Sequence, residues 1–116
     1  MMRKSKAPFY LRVGQIYADQ NYNSDMAEEL LKCRRAANRL NVNWEGVIST
    51  TRTQELCDFR FMAMKHLREK GFTYKEMGRV FGKRDHSTAV YAVKQADALL
   101  ITDPAFRRKY TIFKQS

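Results

Sequence analysis

The densest run of chemistry-bearing side chains in this sequence is Gly82-Lys83-Arg84-Asp85-His86-Ser87-Thr88. It lies between two amphipathic segments, Thr73–Phe81 and His86–Leu100, and reads as a tight basic turn feeding the exposed first turn of a helix. Such a helix end carries free N–H groups and a positive partial charge, both suited to phosphate oxygens. Its short polar side chains also reach base edges if the helix enters a major groove. Two other chemistries suggested by these residues fail on spacing. Asp85, His86 and Ser87 are the residue types of a hydrolytic triad, but neighbours on a helix project about 100° apart and do not converge. Gly78 to Lys83 resembles a Walker A loop with one spacer too few, and Arg84 stands where Ser or Thr should bind magnesium. No nucleotide site, catalytic group or enzymatic activity is expected.

The 116 residues carry 22 Lys+Arg against 12 Asp+Glu, a formal charge of +10. That balance points to a polyanion, either nucleic acid or an anionic membrane surface. Length and hydrophobic content suit one domain with its own core. Cys33, Cys57, His66 and His86 lack the spacing of a zinc site, so no metal and no cofactor are expected. The thiols read as free, in a reducing cytoplasm. The charged start has no small-residue cleavage site after it, and no apolar run could span a bilayer.

The elements that must position the run are helical by period. Residues 1–24 read as a basic arm and linker, within which residues 9–17 fit either a strand or a helix. Residues 25–116 read as one domain. Met26, Leu30, Cys33, Ala37 and Leu40 form the apolar stripe of a first helix, capped by Ser24 or Asp25 and stopped by Asn41. A short element follows at 44–48. A second helix runs from about Gln54 to Lys70, with Leu56, Phe59, Ala63 and Leu67 inward and Gly71 as its stop. Thr73 and Glu76 fit a capping box, and Phe72 with Met77 fits a hydrophobic staple. Asp85 is the N-cap of the next helix, which is expected to bury Ala89, Val93, Ala96 and Leu100. Asp103-Pro104 then starts a last helix that docks through Phe106, Tyr110 and Phe113. The fold class is all-α, a small helical bundle containing a helix-turn-helix: Thr73–Phe81, turn Gly82–Asp85, recognition helix His86–Leu100. In it His86, Ser87 and Thr88 occupy the first turn, Tyr91 and Lys94 follow one and two turns on, and Lys83 and Arg84 lie where phosphates would pass.

The stretch from Gly82 to Val90 resembles the signature of the C-terminal DNA-binding domain of the bacterial chromosomal replication initiator family, DnaA, whose motif reads Gly-Gly-Arg-Asp-His-Thr-Thr-Val. Upstream, Arg60-Phe61-Met62-Ala63-Met64 resembles the family's Arg-Gln-Met/Ile-Ala-Met, and Lys75-Glu76-Met77-Gly78 its Pro-Glu-Ile-Gly. The resemblance implies that Arg60 reaches a minor groove from the start of a helix; read from the residue alone, it snorkels along that helix. It implies that Asp85, His86 and Ser87 read base edges, while Tyr74, Thr88, Tyr91 and Lys94 contact bases or phosphates. Lys75 replaces the family proline, Lys83 a glycine and Ser87 a threonine, and Tyr91 stands where a histidine is usual. These departures imply a relaxed or altered site preference.

The expectation is a cytoplasmic, nucleoid-associated protein that binds double-stranded DNA at a DnaA-box-like site, in replication initiation or its regulation. The family's ATPase module is absent from the sequence, so a stand-alone binder from a phage or mobile element is expected. The host initiator or other replication proteins are further partners, the first 20 or so residues could be a dimerising or partner-binding arm, and the oligomeric state stays open. The rival readings are a transcriptional regulator of the same fold, or an adaptor that contacts proteins through its basic face. Arg34, Arg35, Arg39 and the Arg107-Arg108-Lys109 run read as solvated helix faces.

Overall fold

The computed structural model describes residues 24–82 and 84–116, so the readings made for 1–23 and for Lys83 lie outside the described residues. Among the described residues six helices follow one another: α1 Ser24–Arg39, α2 Trp44–Val47, α3 Gln54–Glu69, α4 Tyr74–Val80, α5 His86–Thr102 and α6 Pro104–Lys114. The all-α class holds. Within the described residues α1 begins at Ser24 and has Asp25 in its first turn. It ends as expected, with Asn41 in the left-handed region at φ 59°. Gly71 closes α3 in the same way, at φ 96°.

α3 is the central rod. Leu56, Phe59, Met62, Ala63, Met64 and Leu67 are all buried along it, more of its circumference than one apolar stripe would cover. α1, α5 and α6 pack around it, and α4 packs against α5. α5 meets its neighbours through Ala89, Ala92 and Ala96. The sequence expectation named Val93 and Leu100 instead of Ala92, and those two are only half-buried. Small side chains at the contact let two helix axes approach, which moves the bulkier residues to the flanks. α5 also runs to Thr102, two residues past Leu100, because nothing breaks it before Asp103. Asp103 then caps α6, accepting from the N–H groups of Ala105 at 3.0 Å and Phe106 at 3.3 Å. α6 docks through Phe113, which packs on Phe59 with ring centroids 5.4 Å apart.

Beside Phe113 lies a buried histidine that helical spacing does not mark as a core residue. His66 is fully buried on α3. Its Nε2 stands 2.6 Å from Glu29 Oε1 on α1, and its Nδ1 3.2 Å from Lys114 Nζ on α6. Only the neutral ring protonated on Nε2 satisfies both neighbours, donating to the carboxylate and accepting from the ammonium. Lys114 continues to Glu69 at 3.1 Å, and Tyr110 donates to the same Glu69 oxygen at 3.2 Å. Lys65 carries the chain on to Asp97 of α5 at 2.6 Å.

Burial lowers the His66 pKa from the ordinary 6.5, and the charges of Lys114 and Lys32 add to that, against the opposing pull of Glu29. A histidine held neutral in the folded state stabilises the fold at pH above its unfolded pKa and loses that contribution as pH falls through the lower folded value. Glu69 and Asp85, both held below their ordinary carboxylate values, lose theirs only in stronger acid. Thermal melting temperature is therefore expected to fall as pH drops from about 7 to about 5, and His66→Gln is expected to flatten that window. Melts of both proteins across the range check it.

Candidate nucleic-acid interface

The turn between α4 and α5 is built around one close backbone approach. Thr73 caps α4, accepting from the Glu76 N–H at 3.1 Å while Glu76 Oε1 accepts from the Thr73 N–H at 2.8 Å, the reciprocal box read from the sequence. After Phe81 the chain passes through Gly82 at φ 82°, a conformation that favours glycine. It then doubles back so that the Arg84 N–H donates to the Gly78 carbonyl at 2.6 Å. A Cβ at Gly78 would run into the carbonyl oxygens of Arg84 and Asp85. Gly78 is thus a packing glycine of a helix-turn-helix.

Asp85 is the N-cap of α5. Its Oδ1 accepts from the Thr88 N–H at 3.0 Å, the Ser87 hydroxyl at 2.9 Å and the Thr88 hydroxyl at 3.0 Å. Those bonds, the backbone one first, hold its carboxyl below the ordinary value, so it is ionised at neutral pH. Beyond the cap, the buried alanines of α5 leave Ser87, Tyr91 and Lys94 exposed at four- and three-residue steps, one outward stripe. His86 stands exposed at the head of the helix and Thr88 is half-buried beside it. Lys75, the second residue of α4, is exposed, and Tyr74 before it is half-buried. Asp85, His86, Ser87, Tyr91 and Lys94 are therefore presented from one helix. Among the described residues no group of His, Cys, Asp and Glu is arranged to hold a metal, and no helix is long and apolar enough to cross a membrane.

A family model described as the bacterial dnaA protein helix-turn-helix matches residues 34–96, from within α1 to within α5. The chain belongs to the bacterial DnaA helix-turn-helix family. Curated relatives include the chromosomal replication initiator protein DnaA of Rickettsia akari, 32% identical over 82 residues that span 68% of this chain and 17% of that protein. The initiator of Ehrlichia ruminantium is 37% identical over 82 residues, 66% of this chain and 17% of its own length. That of Wolbachia pipientis is 36% identical over 89 residues, 74% of this chain and 18% of its own. The chain thus spans less than a fifth of the relatives it matches.

Two arginines of the family pattern occupy places the motif did not foretell. The resemblance put Arg60 in a minor groove from the start of a helix, and the alternative had it snorkelling along that helix. The structure puts it two turns inside α3 and only 2% exposed. Its Nε donates to the Val47 carbonyl at 2.8 Å, and its Nη2 to those of Gly46 at 2.7 Å and Ser49 at 3.1 Å. These are the orphan carbonyls at and after the C-terminus of α2, where a cation is also favoured by the helix dipole. Arg84 was expected along the phosphates. Its side chain instead folds back, with Nη1 donating to Phe81 and, at 3.3 Å, to the same Ser49 carbonyl. Burial lowers the pKa of both guanidiniums, and the two charges oppose each other at Arg60. The Ser49 carbonyl therefore ties the turn to α3 and to the loop after α2. A sequence motif records which residues recur, not which of them face inward, so this role left no mark at the level of spacing.

Three aromatic supports were missed altogether. Phe61 packs edge-on against Tyr91, with centroids 6.2 Å apart. Tyr74 meets His86 edge-on at 6.4 Å. Arg68 covers the Tyr74 ring. The signal available was helical register: 61 and 91 lie opposite one another only once α3 and α5 are packed.

Gly78→Ala is expected to lower stability by about 1–3 kcal/mol, because backbone rather than a flexible side chain must move to admit the methyl; denaturant titration reads this directly. Arg60→Met should cost about 2–4 kcal/mol by removing the guanidinium donors from the Val47, Gly46 and Ser49 carbonyls. Lys94→Ala, on the exposed stripe, should stay within about 0.5 kcal/mol of wild type.

Proposed function

We propose that this chain binds double-stranded DNA sequence-specifically, at a site of the DnaA-box kind, in replication initiation or its regulation. The observation that carries the reading is the single outward stripe of α5, with Ser87, Tyr91 and Lys94 aligned behind an exposed His86 and an ionised Asp85. A helix so presented can lie in a major groove with its N-terminal residues at the base edges. The curated relatives are named as replication initiators, which supports placing the DNA site in replication.

The hydrogen bonds inside the cap shape what each group offers. The Ser87 hydroxyl proton is committed to Asp85, so its oxygen is left to accept, as from a cytosine or adenine amino group. Asp85 Oδ1 is engaged by the cap, which leaves Oδ2 to accept from a base donor. His86 supplies two ring nitrogens for hydrogen bonding to a base edge. Lys75, Lys83 and Lys94 supply charge at the groove walls, and Tyr91 packs between them and the bases. In this reading Arg84 and Arg60 act as supports of the turn and not as phosphate or minor-groove contacts.

Binding to a DnaA-box duplex and to a scrambled duplex, measured across salt, tests the proposal. Affinity should fall linearly in log–log form, by about 0.9 per neutralised phosphate. His86→Ala should lose about 1–3 kcal/mol of discrimination at one base pair, while Lys83→Ala weakens all sequences alike and lowers the slope by about one. Wild-type behaviour of both variants on both duplexes would refute the reading, and salt-insensitive binding would favour the protein adaptor.

A further inference from the structure

A line of three side chains runs from the end of α3 to the head of α5, and the sequence motif contains only its last member. Arg68, in the last turn of α3, is exposed. Its Cζ lies 4.3 Å from the centroid of the Tyr74 ring. Its Nη1 donates to the Phe72 carbonyl at 3.1 Å, so the guanidinium is held at two points. Tyr74 is the first residue of α4, and its ring meets the His86 ring with planes at 68° and centroids 6.4 Å apart. His86 is the first residue of α5.

We propose that Arg68 and Tyr74 form a brace that fixes the plane of the His86 imidazole, which makes both of them positioning residues for base readout. The inference rests on the reading of His86 as a base contact. A neutral imidazole donates from one nitrogen and accepts at the other, and its χ2 torsion is intrinsically broad. An exposed histidine at a helix start would therefore present either edge to a base pair and discriminate poorly. The Tyr74 ring restricts that rotation from one side. Tyr74 is in turn held by a planar cation that stacks on its ring while one nitrogen is fixed on the Phe72 carbonyl, a pairing that a compact ammonium on a flexible stem does not reproduce. Readout of a base edge requires side-chain placement to about half an ångström, and locked neighbours supply it.

The test is a panel of duplexes varied at each base pair, bound by wild type and by His86→Ala, Arg68→Lys, Arg68→Met, Tyr74→Phe and Tyr74→Leu, with salt slopes and melting temperatures alongside. At the pair where His86→Ala loses discrimination, Arg68→Lys, Arg68→Met and Tyr74→Leu should each lose about threefold, with salt slope unchanged. Tyr74→Phe, which keeps the ring, should keep the discrimination at that pair. Adding Arg68→Met to His86→Ala should cost nothing further at that pair. If Arg68→Lys is neutral while Arg68→Met weakens every duplex and lowers the slope by about one, Arg68 is a phosphate contact and the brace is refuted. If His86→Ala relaxes a pair that Arg68→Lys and Tyr74→Leu leave untouched, the brace alone fails. If wild type discriminates no duplex, or His86→Ala changes no pair, the brace falls together with the reading of His86.

Discussion

Everything at the exposed end of α5 depends on one backbone contact, the Arg84 N–H on the Gly78 carbonyl at 2.6 Å. It is possible only because Gly78 has no side chain where the turn carbonyls of Arg84 and Asp85 pass. The contact sets how sharply the chain reverses after α4, and hence the direction in which α5 sets out. Gly82 supplies the positive φ that the reversal needs. Once those two residues fix the corner, Asp85 falls at the N-cap and His86 at the first helical position. The side-chain chemistry of the interface is therefore downstream of a backbone fit.

A corner of this kind needs bracing, because a turn on the surface has few apolar contacts to hold it. Arg60 and Arg84 provide the brace through a single acceptor, the Ser49 carbonyl. Two guanidiniums converging on one oxygen repel one another, and both have their pKa lowered by burial. That arrangement persists because each also satisfies other carbonyls, those of Gly46 and Val47 for Arg60 and that of Phe81 for Arg84. The carbonyls belong to the ends of short helices, where backbone acceptors have no intrahelical partner. α2, only four residues long, is in effect capped by a side chain from α3. The same family motif can thus mark residues that build the surface as well as residues that lie on it.

How much of this was legible in the sequence follows from which interactions are local. The Thr73–Glu76 box, the Asp85 cap, the Asn41 and Gly71 stops and the Asp103-Pro104 start all involve residues within a few positions of one another, and each is found where spacing placed it. The helix-turn-helix followed from them. What spacing did not give was the direction of long side chains. Arg60 reads identically whether it enters a groove or caps α2, since the acceptors it finds lie 11 to 14 residues away. His66 reads as one more polar residue late in a helix. Only the approach of Glu29 from α1 and Lys114 from α6 makes it a satisfied core group. The choice of Ala92 over Val93 on the inner face of α5 likewise depends on how close two helices come, which no single helix encodes.

The folding of the helix end also bears on the chemistry left for a ligand. Capping consumes the N–H of Thr88, one oxygen of Asp85 and the hydroxyl protons of Ser87 and Thr88. What remains at the tip is biased toward acceptors, with the His86 ring the exception. An end whose backbone is electropositive but whose first side chains accept is selective in a particular sense. On the proposed reading, phosphates are attracted by the helix end and its neighbouring lysines, whereas a base is favoured when it offers an amino donor to Asp85 and Ser87. In the family motif a threonine stands at position 87, bringing a methyl that can meet a thymine. The serine here keeps the acceptor and removes that apolar contact. On the proposed reading, its loss leaves discrimination to hydrogen bonds alone at that position, and these fall off steeply with misalignment. The orientation of His86 and the rigidity of the Asp85 cap then matter more in this chain than in relatives that keep the methyl.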